Sequence, residues 1–260
     1  MKAKDRAISI KNEKIIRILG PILLLIILLA VLQLVTTIGN VPNYMFPKPS
    51  VVFETFAQNL VPKILPAAGE TLTVVLIGYA IGAPIGIMLA AMMSQFKLLN
   101  KAFSPYVILL VCTPLISLVP MLMLWMGYGM NVRIIGVIIQ VFPIVMMNSF
   151  TGFNNVEHIK LELMQSMGAK RFTTFFRVTF FDALPHVFTG LKLGTIFATI
   201  TAVSTEGVSG NMGLGHLMME AKGVLRTDMM FATIIICAII GITLYSLVNL
   251  AEKKIIKWKK

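Results

Sequence analysis

Six runs of apolar residues, each near twenty long, divide this chain at roughly 18–38, 71–93, 103–126, 133–152, 187–205 and 229–250. Twenty residues of helix rise about 30 Å, the thickness of the hydrocarbon core of a bilayer. Within hydrocarbon every backbone N–H and C=O must find its partner inside the chain, so such runs fold as helices. The expectation is an all-α transmembrane fold, a six-helix bundle. Composition agrees. Only 13% of the 260 residues are charged and 57% are hydrophobic, against roughly 25% charged in soluble domains.

Charge placement orients the bundle. With the N-terminus inside, the inner segments are 1–17, 94–102, 153–186 and 251–260, and they hold seventeen of the 23 Lys and Arg residues. The outer segments hold five: Lys48, Lys63, Arg133, Lys222 and Arg226. Such a bias places both termini in the cytoplasm. The expected organisation is a basic cytoplasmic N-terminus (1–17), a transmembrane domain (18–250) with a large cytoplasmic segment (153–186), and a basic tail (251–260). The first run is too long for a signal core and no A-x-A site follows it, so it reads as a retained span. The same distribution argues against nucleic acid as a partner. The +12 charge flanks the apolar runs, without interleaved aromatics or a zinc-finger or RNA-binding signature. Membrane lipid is the expected surrounding.

Several features bear on packing. Gly78, Gly82 and Gly86 in the second run, and Gly190, Gly194, Ala198 and Ala202 in the fifth, recur every fourth residue. Such faces let helix backbones approach closely, either within the bundle or at a subunit interface or moving pathway. Pro114 and Pro120 interrupt the third run, a place where a helix can kink beside a transport path. Two outer segments, 39–70 and 206–228, are too long for bare turns, with short helices expected at Val51–Leu60 and His216–Gly223. Cys112 and Cys237 lie within apolar runs and read as small membrane-buried hydrophobes.

The chain lacks the chemistry of several classes. It has no G-x-x-x-x-G-K-[ST] loop, no H-E-x-x-H pair and no G-x-S-x-G elbow. No catalytic residue, metal site or cofactor is expected. Ionisable groups within the spans are few: Lys192 and Glu206 lie near the ends of the fifth. An ion-coupled carrier usually keeps a carboxylate or histidine near mid-membrane, so the energy source is expected in another protein. Lys192 fits snorkelling towards the cytoplasm, with contact to an anionic solute as the alternative. Thr199, Thr201, Ser204, Thr205 and Glu206 give the outer half of the fifth span unusual polarity. Thr201, Ser204, Thr205 and Glu206 are candidate pathway residues, although helix–helix hydrogen bonding explains Ser and Thr equally well.

The cytoplasmic segment from Glu162 to Pro185 is the most informative. It reads as two short helices hinged at a glycine. Glu162 would sit near the start of the first, favourable with the helix dipole. Gly168 suits a left-handed C-terminal cap. Lys170, Arg171 and Arg177 would keep the second helix at the cytoplasmic surface, Phe172, Phe175 and Phe176 would give it an apolar face, and Pro185 would end it. On physical grounds alone, an amphipathic element lying on the bilayer fits as well.

This segment resembles the EAA loop of bacterial ABC-importer permeases of the binding-protein-dependent type I class. Glu162, Gly168 and Val178 match that pattern. Leu163 and Met164 replace its usual alanines, Phe180 and Phe181 stand where Leu-Pro is usual, and Ala183-Leu184-Pro185 restores a common Ala-Leu-Pro. Phe46-Pro47-Lys48-Pro49-Ser50, the stretch Pro120 to Gly127, and Glu206 followed by Gly213-Leu214-Gly215 are similar to segments of the nitrate/sulfonate/taurine subgroup, in the same order. The resemblance implies a type I permease architecture in a bacterial inner membrane. It further implies a second permease chain (a homodimer), a cytoplasmic ATP-binding subunit and an extracytoplasmic solute-binding protein. Glu162, Leu163, Met164, Gly168, Ala169, Val178 and Pro185 would couple the chain to the ATPase. The implied solute is a sulfonate, taurine, nitrate or similar. A vitamin precursor, such as the thiamine pyrimidine or riboflavin, is the alternative, and a self-powered secondary transporter the runner-up class.

Overall fold

The computed structural model describes the backbone of residues 2–258 and the side chains of 19–96 and 98–258. The described residues form helices and no strands: α1 (Lys2–Ile38), α2 (Pro49–Asn59), α3 (Leu65–Gln95), α4 (Lys97–Cys112), α5 (Leu115–Met126), α6 (Met130–Asn154), α7 (His158–Ser166), α8 (Arg171–Thr174), α9 (Phe180–Ser209), α10 (Leu214–Gly223) and α11 (Thr227–Ile255). The basic side chains of the expected N-terminal segment lie outside the described side chains.

Among the described residues, five stretches are long and apolar enough to cross a membrane: Leu19–Ile38, Pro49–Gln95, Met130–Asn154, Arg171–Ser209 and Thr227–Ile255. The expected third span is not one straight helix. Leu98–Cys112 and Leu115–Met126 meet at 99° and supply the sixth crossing only when taken as one broken span. The cause is local. Thr113 before Pro114 is held extended (φ −77°, ψ 122°), as the proline ring requires of its predecessor. The twelve residues of α5 rise only about 18 Å, too short to cross alone.

Other prolines leave their helices intact. Pro185 does not end a helix but sits inside α9, and the run from Arg171 to Ser209 continues through a single π turn at Phe175–Thr179. The expected second helix of the hinged element is therefore the start of the fifth span. Similarly, Pro62 falls in a π turn (Leu60–Ile64) and Pro66 in the first turn of α3. There the missing N–H would be unpaired in any case.

Two compact units divide the chain. One holds the chain up to Leu60 together with Ala221–Ala232. In it Gln33 bridges Ser50, accepting from its N–H at 3.1 Å and donating to its Oγ at 3.2 Å, which ties α1 to α2. Thr55 donates to Asp228 at 2.8 Å, and Arg226 pairs with the same carboxylate at 2.8 Å. Phe46 stacks edge-on against Phe231 with ring centres 5.5 Å apart.

The other unit, Val61–Glu220 with the chain from Thr233 onward, carries the core. Here α3, α6 and α9 pack around Val74, Val75, Ala83, Val137, Val141, Val145, Ala198 and Ala202. The small-residue faces make this possible. A Cβ on Gly78 would lie 2.6 Å from Val137, one on Gly86 2.5 Å from the Phe142 carbonyl, and one on Gly190 2.8 Å from Asn148. Those faces are used up within the chain, against α6, and are not free to line a subunit interface. Lys192 of α9 pairs with Glu252 of α11 at 2.7 Å. The pair carries the Lys192 ammonium toward the 251–260 segment, the direction expected of snorkelling, and gives it a carboxylate partner.

Candidate coupling element and translocation cavity

At one end of the core, α7 faces the ends of α3 and α6 across a cavity of about 450 Å³ lined by Leu161, Gln165, Gln95 and Phe153, among others. Its C-terminus is a Schellman cap: Gly168 adopts φ +71°, its N–H donates to Gln165, and the Ala169 N–H donates to Met164. Glycine reaches that conformation without the Cβ penalty. No atom lies within 4 Å of a Cβ built at Gly168, so the constraint there is backbone conformation and not space.

Glu162 is mid-helix, not near the helix start. The helix begins at His158, with Glu157 at its N-cap, and Glu162 accepts from His158 Nδ1 at 3.0 Å on an exposed face. None of the α7 side chains is buried. Ile159, Leu163 and Met167, spaced by four, are 73%, 63% and 73% exposed. They make an apolar stripe on an element held to the protein by other means, while Met164 and Ala169 are half-buried.

Those means were not legible in the sequence. Lys160 donates to Asp182 at 2.7 Å, joining α7 to the first turn of α9. The Asp182 hydrogen bond pushes the Lys160 ammonium above its ordinary value, so it stays charged. Arg171 does not serve merely to hold a surface helix. It donates from Nε to the Gln95 side chain at 3.2 Å and from Nη2 to the Gln95 carbonyl, capping α3 with a cation. Beneath it Phe175 packs on Phe153 with centres 5.2 Å apart, and Phe180 on Phe153 at 6.3 Å. Phe181 meets Trp258 edge-on at 6.5 Å. The Phe180-Phe181 departure from the family pattern is thus accommodated in aromatic packing. Val178 lies in the π turn and Pro185 within α9, both half-buried.

Nearer the other end, the α4–α5 break opens a cavity of about 280 Å³ lined by Thr113, Pro114, Gln140, Thr201, Ser204 and Thr205, among others. Three of the four candidate pathway residues therefore share one cavity wall with the proline break. A wider apolar cavity of about 650 Å³ lies between α9 and α11, with Thr199, Ser204, Cys237 and Met218 among its lining. Cys112 lies at the end of α4, on the outside of the single chain. Glu206 is absent from both walls. It is fully buried and accepts from Thr71 Oγ at 2.8 Å and from the Gly215 N–H at 3.0 Å, both through Oε2. Thr71, a partner sequence reasoning missed, lies 135 residues away in the chain. Among the described residues no group of three His, Cys, Asp or Glu is placed to hold a metal ion.

Residues 82–257 match the model of a family described as the binding-protein-dependent transport system inner membrane component. The chain belongs to this family. The permease is 28% identical over 242 residues to the riboflavin transport system permease protein RibX of Chloroflexus aurantiacus, covering 93% of this chain and 90% of that one. It is 25% identical over 240 residues to the taurine transport system permease protein TauC of Escherichia coli, covering 90% and 87%. In fold it is similar to a chain of a bacterial ABC transporter involved in the import of the acidic polysaccharide alginate. The TM-score is 0.66 at 16% identity, over 95% of this chain and 98% of that one. The permease is an all-α, multi-spanning membrane component of a type I ABC importer.

Proposed function

We propose that two copies of this permease form the translocation pathway of an ATP-driven importer. A cytoplasmic ATPase would dock on the exposed stripe of α7, and an extracytoplasmic binding protein would deliver a small solute. The observation that carries this reading is the combination at α7. An apolar stripe of Ile159, Leu163 and Met167 faces solvent, while Lys160–Asp182 ties α7 to α9 and, just beyond the Gly168 cap, Arg171 of α8 holds Gln95 of α3. A surface left apolar and mechanically connected suits a docked partner that moves the helices. The broken α4–α5 pair would serve as the third crossing, keeping both termini, including 1–17 and 251–260, in the cytoplasm. Glu162, Leu163, Met164, Gly168 and Ala169 would form the dock. Val178 and Pro185 would lie in the arm behind it, and Thr201, Ser204 and Thr205 would face the pathway.

Taurine, an aminosulfonate, is named for the relative TauC and riboflavin for RibX, so both the sulfonate and the vitamin readings have support. Selectivity would lie mainly with the binding protein. Two measurements test the proposal. Co-purification with the ATPase should be lost on Leu163→Asp. Calorimetry of the partner binding protein against taurine, an alkanesulfonate, nitrate, riboflavin and the thiamine pyrimidine should give one tight ligand. An ATPase retained on Leu163→Asp would sink the docking assignment. Gradient-driven uptake by the purified chain alone would favour a secondary carrier.

A further inference from the structure

The three core helices each send one polar side chain to the same short loop, Asn211–Gly215, at the end of the core opposite α7. From α3, Thr71 Oγ accepts from the Leu214 N–H at 2.9 Å. From α6, Arg133, 5% exposed, donates from Nη1 to the Met212 carbonyl at 3.2 Å. From α9, Glu206 accepts from the Gly215 N–H at 3.0 Å and from Thr71 at 2.8 Å. Its second oxygen, Oε1, is buried without a partner. Leu214 is fully buried between two glycines that nothing larger could replace. A Cβ on Gly213 (φ +103°) would lie 2.4 Å from Glu206 Cδ, and one on Gly215 2.0 Å from the Val203 carbonyl. The Gly-Leu-Gly sequence thus has a physical reason: a plug with no side chain on either side, drawn onto a carboxylate.

This loop leads directly into α10, which contributes Met218 to the lining of the α9–α11 cavity together with Val203, Ile234 and Cys237. We propose that Thr71, Arg133 and Glu206 are positioning residues for translocation. Together they clamp the Gly213–Gly215 loop and thereby hold the start of α10 as the outer cover of that cavity. The assignment moves Glu206 from the pathway wall to the support of its cover, and it rests on the cytoplasmic-termini topology proposed above. A buried donor or acceptor stripped of its partner is strongly disfavoured, so loss of one clamp residue frees the loop at the point where its neighbours cannot compensate.

Cys237 reports directly on the cover. In a Cys112→Ser background it is the one remaining thiol. Right-side-out membrane vesicles holding the full-length chain are treated with a membrane-impermeant methanethiosulfonate cation, and labelling is normalised to the amount of chain present. The unaltered clamp should label slowly. Thr71→Val, Arg133→Met and Glu206→Ala should each label about tenfold faster, while Thr71→Ser, which keeps the hydroxyl, should label at the slow rate. Gly215→Ala, whose Cβ would meet the Val203 carbonyl and displace the loop while the Thr71, Arg133 and Glu206 side chains are all retained, should behave like the clamp losses. Equal rates for all variants, fast labelling with the clamp intact, or acceleration only from the cytoplasmic side would each overturn the proposal. If one variant fails to reach the membrane, the near-isosteric Thr71→Val against Thr71→Ser still decides it. Labelling needs neither ATP nor solute, so its outcome is independent of the ATPase-docking test.

Discussion

Lys192 and Glu252 form a 2.7 Å ion pair between α9 and α11, with only 17% and 21% of their side chains exposed. Each charge has lost most of its water, and the partner makes up the loss. Lys192→Met leaves the Glu252 carboxylate half-buried and unpaired and should destabilise the permease by roughly 2–4 kcal/mol. The double variant Lys192→Met/Glu252→Leu should recover most of that. Thermal unfolding in mild detergent reads both. A single variant as stable as the parent would show the pair to be dispensable.

Gly168 gives a graded prediction. Its φ of +71° is disfavoured by roughly 1–2 kcal/mol for a residue with a Cβ, and no neighbour would clash with one. Gly168→Val should therefore reach the membrane at normal levels yet lose most ATP-coupled uptake, because the cap that sets the direction of α7 is strained. Gly168→Asn, which tolerates the left-handed region, should retain more. Equal uptake by all three proteins would remove the cap from the mechanism.

The stripe on α7 predicts a surface effect without a stability effect. Leu163 is 63% exposed, so Leu163→Asp removes little intramolecular packing and should change unfolding by less than about 0.5 kcal/mol. Binding of the ATPase, measured by co-purification or calorimetry, should fall at least about tenfold, as for loss of an apolar anchor at the centre of an interface.

Two glycines of α3 should respond oppositely. Gly86 lies where a Cβ would meet the Phe142 carbonyl at 2.5 Å, whereas a Cβ on Gly69 would meet nothing within 4 Å. Gly86→Val should push α3 from α6 and lower stability by roughly 1–3 kcal/mol or more. Gly69→Ala should be neutral or stabilise by up to about 1 kcal/mol, by restricting the unfolded backbone. Thermal unfolding of the two variants side by side checks the sign.

Much of the architecture was legible because membrane physics writes it locally. The runs near 71–93, 133–152, 187–205 and 229–250 lie within α3, α6, α9 and α11, since a hydrocarbon-spanning helix must be both long and apolar. The short helices expected at Val51–Leu60 and His216–Gly223 are α2 (Pro49–Asn59) and α10 (Leu214–Gly223). The Gly168 cap was equally local, because one residue with positive φ completes it. Proline was less readable. Pro114 marks a 99° break, yet Pro84, Pro120, Pro143 and Pro185 lie inside continuous helices. Whether a lost N–H breaks a helix depends on what packs around it, which lies outside any local window.

By itself, then, the sequence determined that this chain is a membrane bundle with a short glycine-capped helix between its spans, and its motifs pointed to the family. Only the tertiary structure decided what the polar residues do. Lys192 found Glu252, Arg171 found Gln95, and Glu206 found Thr71 and the Gly-Leu-Gly loop. In a low-dielectric interior an isolated polar group is strongly disfavoured, so each must be matched. The partner that matches it is brought close by helix packing and not by proximity along the chain.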